Sequence, residues 1–239
     1  MGQPLDLLLP AVPGLTAFVW DLPDETSPAG GAATTGVLLT HGAGGDCRGP
    51  GLSALARGLA TLGHPVGRFD LPYRVAGRRT PPEAERSVPA FADALAEARS
   101  TCPGVPAWAV GGKSYGGRVA SLAVAGGLDA AALVFYGYPL HPPGRPEKLR
   151  VGHWPSIRVP CLFLQGTADP FCHLGLLREH LPSLGAGATL EVVEGGDHSL
   201  AVAASRSPDG HARSAPEVLG GLAPVIARWL AAASSSGAP

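Results

Sequence analysis

The chain has 239 residues, 45% hydrophobic and 15% charged, with a formal net charge of −1. That length supplies the core of one large domain and is short for two, so residues 1–239 are expected to form a single domain. The composition excludes a disordered chain, and balanced charge without long runs of one sign excludes a broad basic face for nucleic acid.

The 34 glycines and 25 prolines stand mostly between apolar runs, where they read as tight connections. Residues 1–14 (MGQPLDLLLPAVPG) have no basic leading region, and Asp6 and three prolines interrupt their apolar stretch. They are expected to be neither a signal peptide nor a membrane span. No other apolar stretch is long enough to cross a bilayer, so a soluble, cytoplasmic protein with no membrane partner is expected.

Thr16–Trp20 reads as a first strand, and residues 21–35 as a polar loop. Gly36–Thr40 (GVLLT) is apolar without alternation, the pattern of a strand covered on both faces. A helix is expected from Leu52 to Leu62 and a strand from Pro65 to Phe69. Pro81 and Pro82 open an Ala-rich helix, Glu83 to Ser100, in which Pro89 predicts a kink or a later start. Ala107–Gly111 is a strand, Ser114–Ala125 a helix of small residues, and Ala132–Phe135 and Cys161–Gln165 further strands. A helix over His173–Leu181 and a strand over Thr189–Val193 follow. Val218, Leu222, Val225, Ile226, Trp229 and Leu230 mark one face of a closing helix interrupted by Pro224, with a frayed tail from about residue 232.

Strands alternating with helices predict an α/β fold: a doubly wound, mostly parallel sheet of about seven strands with helices on both faces. Ligands of such sheets bind at the carboxyl ends of the strands. The four cysteines, Cys47, Cys102, Cys161 and Cys172, form no CxxC pair and have no His cluster beside them. No metal site is expected, and thiols in a reducing compartment are favoured over disulfides.

Ser114 lies in Gly112-Lys113-Ser114-Tyr115-Gly116, after a strand and at the start of a helix. This is the G-x-S-x-G nucleophile elbow in its strand–turn–helix setting. The turn is sharp, and Cβ atoms two residues either side of the serine would clash with each other and with the neighbouring strand. A glycine-rich turn with an incidental serine is the plain alternative.

A serine hydroxyl needs an adjacent base. Asp169, after the strand CLFLQ, and His198, after TLEVV, follow Ser114 in the order acid, then base. Singly, Asp169 reads as a turn former in Asp-Pro and His198 as a loop residue. Together, each at a strand carboxyl end, they predict a Ser-His-Asp triad. Asp197 adjoins His198 and is expected to point elsewhere. Two N–H donors are needed for an oxyanion: that of Tyr115, and one from the loop His41-Gly42-Ala43-Gly44-Gly45. Ala43 is the first choice, with Gly42 or Gly44 as alternatives. That loop lacks the GK[ST] of a phosphate loop and the GxGxxG spacing.

The segments HGAGG, RFDLPYR, GGKSYGGR, FYGYPLHPPGRPEKLR, LQGTADPF and EGGDHSL occur in this order. They resemble a branch of α/β-hydrolases related to dienelactone hydrolases, which includes small bacterial proteins of this length. They also resemble the hydrolase-like subunit of the non-specific-lethal histone acetyltransferase complex. The resemblance spans about residues 36–200 and implies nucleophile, acid and base at Ser114, Asp169 and His198. Dienelactone hydrolases carry Cys where Ser114 stands, so their substrate does not transfer.

The two dozen or so residues between Phe135 and Cys161 are too few and too Pro-rich for a cap domain. An open site for small or exposed acyl groups is expected, with no cofactor. Tyr73, Arg74, Tyr138, His141, Trp154 and Phe171 stand in loops that would line it. Arg74, with Arg78 and Arg79, either attracts an anionic ester or is a solvated loop arginine. Lys113 is expected to flank the elbow structurally. The reading is a hydrolase of small acyl bonds, the alternative a silent scaffold of the same fold.

Overall fold

The structure, a computed structural model, describes residues 18–24 and 35–236. The expectations for residues 1–17 and 25–34 and for the last three residues lie outside them.

One seven-stranded sheet organises the chain: β1 (Phe18–Asp21), β2 (Gly36–Thr40), β3 (Val66–Phe69), β4 (Trp108–Lys113), β5 (Ala132–Tyr136), β6 (Cys161–Gly166) and β7 (Ala188–Val193). Their spatial order is β1-β3-β2-β4-β5-β6-β7, with only β1 antiparallel to its neighbour. Thr40 pairs with Gly112, and Gly112 with Phe135, so the carboxyl ends of β2, β4 and β5 finish level.

Helices α1 (Pro50–Thr61), α2 (Pro72–Val75), α3 (Val88–Thr101), α4 (Tyr115–Ala125), α5 (Leu174–His180) and α6 (Ala215–Ser236) complete the chain. The two-residue period of a strand sorts side chains between two cores. Leu38 and Val110 face one containing Phe91, Val119 and Phe163. Val37 and Leu39 face the other, with Leu55, Leu219 and Ile226. That explains why β2 and β5 are buried along their whole length and show no alternation of polarity.

Pro89 settles inside the first turn of α3, where its missing N–H has no intrahelical partner to lose. A 3₁₀ turn over Ala84–Ser87 precedes it, so the later start holds and the kink does not. Pro224 does not interrupt α6, which runs unbroken to Ser236 through the expected frayed tail. An internal proline costs a helix about 3 kcal/mol, and α6 recovers this by packing along α1. The contact is close because Gly58 has no side chain: a Cβ there would lie 2.7 Å from Ala223 Cβ. The buried stripe is Leu219, Ala223, Ile226 and Leu230, one residue round from the expected face; Val218, Leu222 and Trp229 pack at its edge.

No helix among the described residues is long and apolar enough to cross a membrane. The segment from Gly137 to Pro160 carries one short 3₁₀ turn, Trp154–Ser156, and no cap domain.

His153, which leads into that turn, shares a hydrogen bond of 2.7 Å between its Nε2 and Ser121 Oγ. Burial, reinforced by the Arg118 guanidinium and opposed by Glu85, pulls its imidazole down to about 4. Unfolded histidine titrates near ~6.5. Between those values the unfolded chain binds a proton that the folded chain does not, so this contribution is complete above pH ~6.5 and lost as pH falls towards 4. The urea midpoint is expected to drop between pH 7 and 4.5, and to drop less in His153→Gln; equal slopes would remove the assignment.

Candidate active site

Ser114 joins β4 to α4 with φ 48° and ψ −112°, a conformation non-glycine residues rarely adopt. Its amide donates to the Tyr136 carbonyl at 3.1 Å, which anchors the turn to the end of β5. The crowding expected around the elbow is present. A Cβ on Gly112 would overlap the Thr40 carbonyl, one on Gly116 would lie 2.5 Å from the His41 carbonyl, and one on Gly117 2.9 Å from the Gly112 carbonyl.

The loops after β4, β6 and β7 bring three side chains together. His198 Nε2 stands 2.8 Å from Ser114 Oγ, and His198 Nδ1 stands 2.9 and 2.8 Å from the two Asp169 oxygens. A carboxylate accepts only, so Nδ1–H donates to Asp169, and Nε2 is left to accept the serine hydroxyl. The Asp169 side chain is fully buried, whereas His198 is 21% exposed. Gln165 Nε2 donates to Asp169 at 2.6 Å and the Phe171 amide at 2.8 Å. The second bond is the turn interaction of an Asp-Pro segment, so Asp169 both shapes its loop and holds the histidine.

Phe171 stacks on His198 with ring centroids 4.2 Å apart. Asp197 points elsewhere, as expected, accepting from the Ser199 and Ala201 amides at 2.7 and 3.1 Å. Room for the histidine loop comes from two glycines: a Cβ on Gly137 would lie 2.6 Å from the His198 carbonyl, and one on Gly166 would overlap that of Gly196. Leu200 closes the loop at φ 66°, fully buried. Gln165 and Leu200 carry no motif and were invisible in the sequence.

The glycine loop after β2 lies against the elbow, since a Cβ on Gly42 would be 3.6 Å from Ser114 Cβ. Buried His41 braces it. The Leu71 amide donates to His41 Nε2 at 3.1 Å, and Nδ1–H donates to the Gly42 carbonyl at 2.8 Å. Burial lowers the His41 pKa, in keeping with this neutral tautomer. Tyr73 hydroxyl donates to the Ala43 carbonyl at 2.8 Å, which ties the glycine loop to α2. Tyr115 opens α4, whose first N–H groups have no intrahelical acceptor.

The four cysteines are thiols. Burial pushes Cys47 and Cys161 up to about 12 and Cys172 higher still, so these thiols resist ionisation to the reactive thiolate. Among the described residues no cluster of His, Cys, Asp or Glu is arranged to hold a metal.

A family model described as "Alpha/beta hydrolase domain" matches residues 33–225. The chain belongs to this α/β-hydrolase family. Solved structures agree on the fold. A lidless α/β serine hydrolase from Xanthomonas campestris is 20% identical, with 89% of this chain and 88% of that one covered and a TM-score of 0.62. Dienelactone hydrolase from Anabaena variabilis is 19% identical over 90% and 91% of the two chains, with a TM-score of 0.60. Est1E from Butyrivibrio proteoclasticus is 13% identical over 92% and 97%, with a TM-score of 0.65.

Several residues expected to line the pocket of this α/β-hydrolase do other work. Tyr138 is fully buried against Phe135, Phe163 and Trp154, and its hydroxyl donates to the Arg150 carbonyl at 3.1 Å and accepts from Trp154 Nε1 at 3.2 Å. His141 is buried, with Nδ1 on the Pro142 carbonyl and Nε2 accepting the His173 amide. Both assignments, and that of Trp154, are corrected: the Pro-rich segment folds back and spends its aromatic rings in the core. Tyr73 is buried beneath the glycine loop. Arg74 faces Asp46 at 4.0 Å and the Arg78 carbonyl at 3.4 Å. Phe171, of that set, reaches His198 and Asp169.

Proposed function

We propose that the protein is a serine hydrolase of small carboxylic esters or related acyl bonds. The observation that carries this reading is the continuous hydrogen-bonded chain Ser114–His198–Asp169 beneath an open surface. His198 Nε2 accepts the Ser114 proton as Oγ attacks the acyl carbon, then gives it to the leaving alcohol. Asp169 holds the tautomer and stabilises the imidazolium. Water repeats the sequence on the acyl-enzyme, with His198 again as base. The Ala43 and Tyr115 N–H groups receive the oxyanion, each worth about 3 kcal/mol of transition-state stabilisation. Nothing in this route calls for a cofactor, and the absence of a cap among the described residues favours small or exposed acyl groups.

A fluorophosphonate probe tests the reading. The wild-type protein is expected to be labelled and to hydrolyse short p-nitrophenyl esters. An unlabelled wild type, or equal labelling of Ser114→Ala, would replace it with a silent scaffold of the same fold.

Tyr73 supplies a second check. Tyr73→Phe keeps the ring contacts with His41 and Tyr115 but loses the bond to Ala43. We expect kcat to fall about tenfold with KM little changed, because only transition-state binding uses that loop. A change confined to KM would place Tyr73 in substrate binding instead.

A further inference from the structure

Hydrolysis by the triad assigns no role to Lys113, the residue just before the nucleophile. Its Nζ donates to Ser199 Oγ at 2.6 Å, joining the neighbour of Ser114 to the neighbour of His198. An ammonium has three N–H donors, and this bond takes one. Among the described residues Lys113 enters no ion pair, although it is partly buried. Burial pulls its pKa down, against the more distant pull of Asp197 and Asp169. A cation withdrawn from water without a carboxylate partner is unfavourable, so its place needs a reason.

Lys113 lines a cavity of about 360 Å³ together with Gly42, Tyr136, Ser199 and the start of α1. That helix has no side-chain cap and no acidic residue in its first turn. Pro50 has no N–H and Ser53 is already bonded to Gly49, so the Gly51 and Leu52 amides are the open donors of that turn. Their partial positive charge adds to that of the ammonium. Asp46 itself lines the cavity, where it accepts from the Arg48 amide at 2.9 Å and faces Arg74 at 4.0 Å, and nearby Glu217 is bonded into the Ser214 cap of α6. The cavity is close to the chemistry. Gly42 lines the cavity, and a Cβ on it would touch both the Lys113 stem, at 3.4 Å, and Ser114 Cβ, at 3.6 Å.

We propose that this cavity is an anion subsite, in which Lys113 and the start of α1 bind a carboxylate or phosphate group carried by the acyl substrate. The proposal rests on the hydrolase reading and gives it a substrate class. It moves the anion-selective role from Arg74, which is turned towards Asp46, to Lys113.

The test compares p-nitrophenyl hemiglutarate with p-nitrophenyl valerate, acyl chains of equal length that differ in a terminal carboxylate. The wild type is expected to favour the hemiglutarate about tenfold or more in kcat/KM, the scale of one charge-assisted hydrogen bond. Lys113→Met should bring the ratio close to one, whatever loss the two esters share, and Lys113→Arg should keep a preference for the anion. Equal rates on both esters with wild type, or a preference that survives Lys113→Met, would overturn the proposal. A calorimetric titration of Ser114→Ala with glutarate separates this from the hydrolase reading, because it needs no turnover. Binding that disappears on adding Lys113→Met supports the subsite, and no binding removes it. Inorganic phosphate that binds there while wild type shows no ester preference would mark a site for a separate anion and overturn the substrate form.

Discussion

Replacing Ser114 by alanine is expected to lower kcat on short esters by about 10⁴-fold or more and to abolish fluorophosphonate labelling. The substitution removes Oγ, the atom that His198 Nε2 faces at 2.8 Å, and little else. The backbone bond from residue 114 to Tyr136 and the packing of α4 do not involve the hydroxyl. Residual activity would come from the oxyanion donors and from binding alone. A folding control is built into the site. Ser114 sits at φ 48°, a strain of about 1–3 kcal/mol for a non-glycine residue. Ser114→Gly removes both hydroxyl and strain, so it should be as inactive as the alanine variant yet unfold at a higher temperature. An alanine variant that kept a tenth of wild-type kcat would end the nucleophile assignment.

Gly112→Ala is expected to destabilise the fold by about 3–5 kcal/mol, combining overpacking with backbone strain. Gly112 has φ +152°, and its added methyl would overlap the Thr40 carbonyl on the paired strand β2. That obstacle is backbone in the middle of the sheet, so relief requires β2 and β4 to part. Gly104 is the matched control: it lies in a turn with no atom within 4 Å of a Cβ and no positive φ. Gly104→Ala should stay within about 1 kcal/mol of wild type. Denaturant midpoints for the two variants measure the contrast, and equal values would mean that the elbow tolerates a Cβ.

The order Ser114, Asp169, His198 was legible because each residue follows a short strand-like run, buried in β4 and β6 and half-exposed in the edge strand β7. Glycines at 112, 116 and 117 mark the same turn for a steric reason that acts over a few residues. Pro89 was ambiguous in sequence, since a kink and a later start satisfy the same missing N–H. Pro224 misled, because its local cost is outweighed by the packing of α6 on α1, two helices far apart in the chain.

The loop residues show the limit most clearly. Tyr138, His141 and Trp154 have the chemistry of pocket walls and stand near strand ends, yet the segment 137–160 turns inward and buries them. Lys113 had the opposite fate: a residue expected only to flank the elbow lies in the wall of a cavity with Gly42 and Ser199. The sequence by itself determined the α/β order of elements, the tight turn at Ser114 and the order in which Ser114, Asp169 and His198 follow their strands, because strand patterning, glycine sterics and turn chemistry are local. Only the tertiary structure decided which loop side chains reach the site, and that Lys113 is among its neighbours. A side chain's destination depends on how distant elements pack and where each loop closes, and no short-range pattern carries that information.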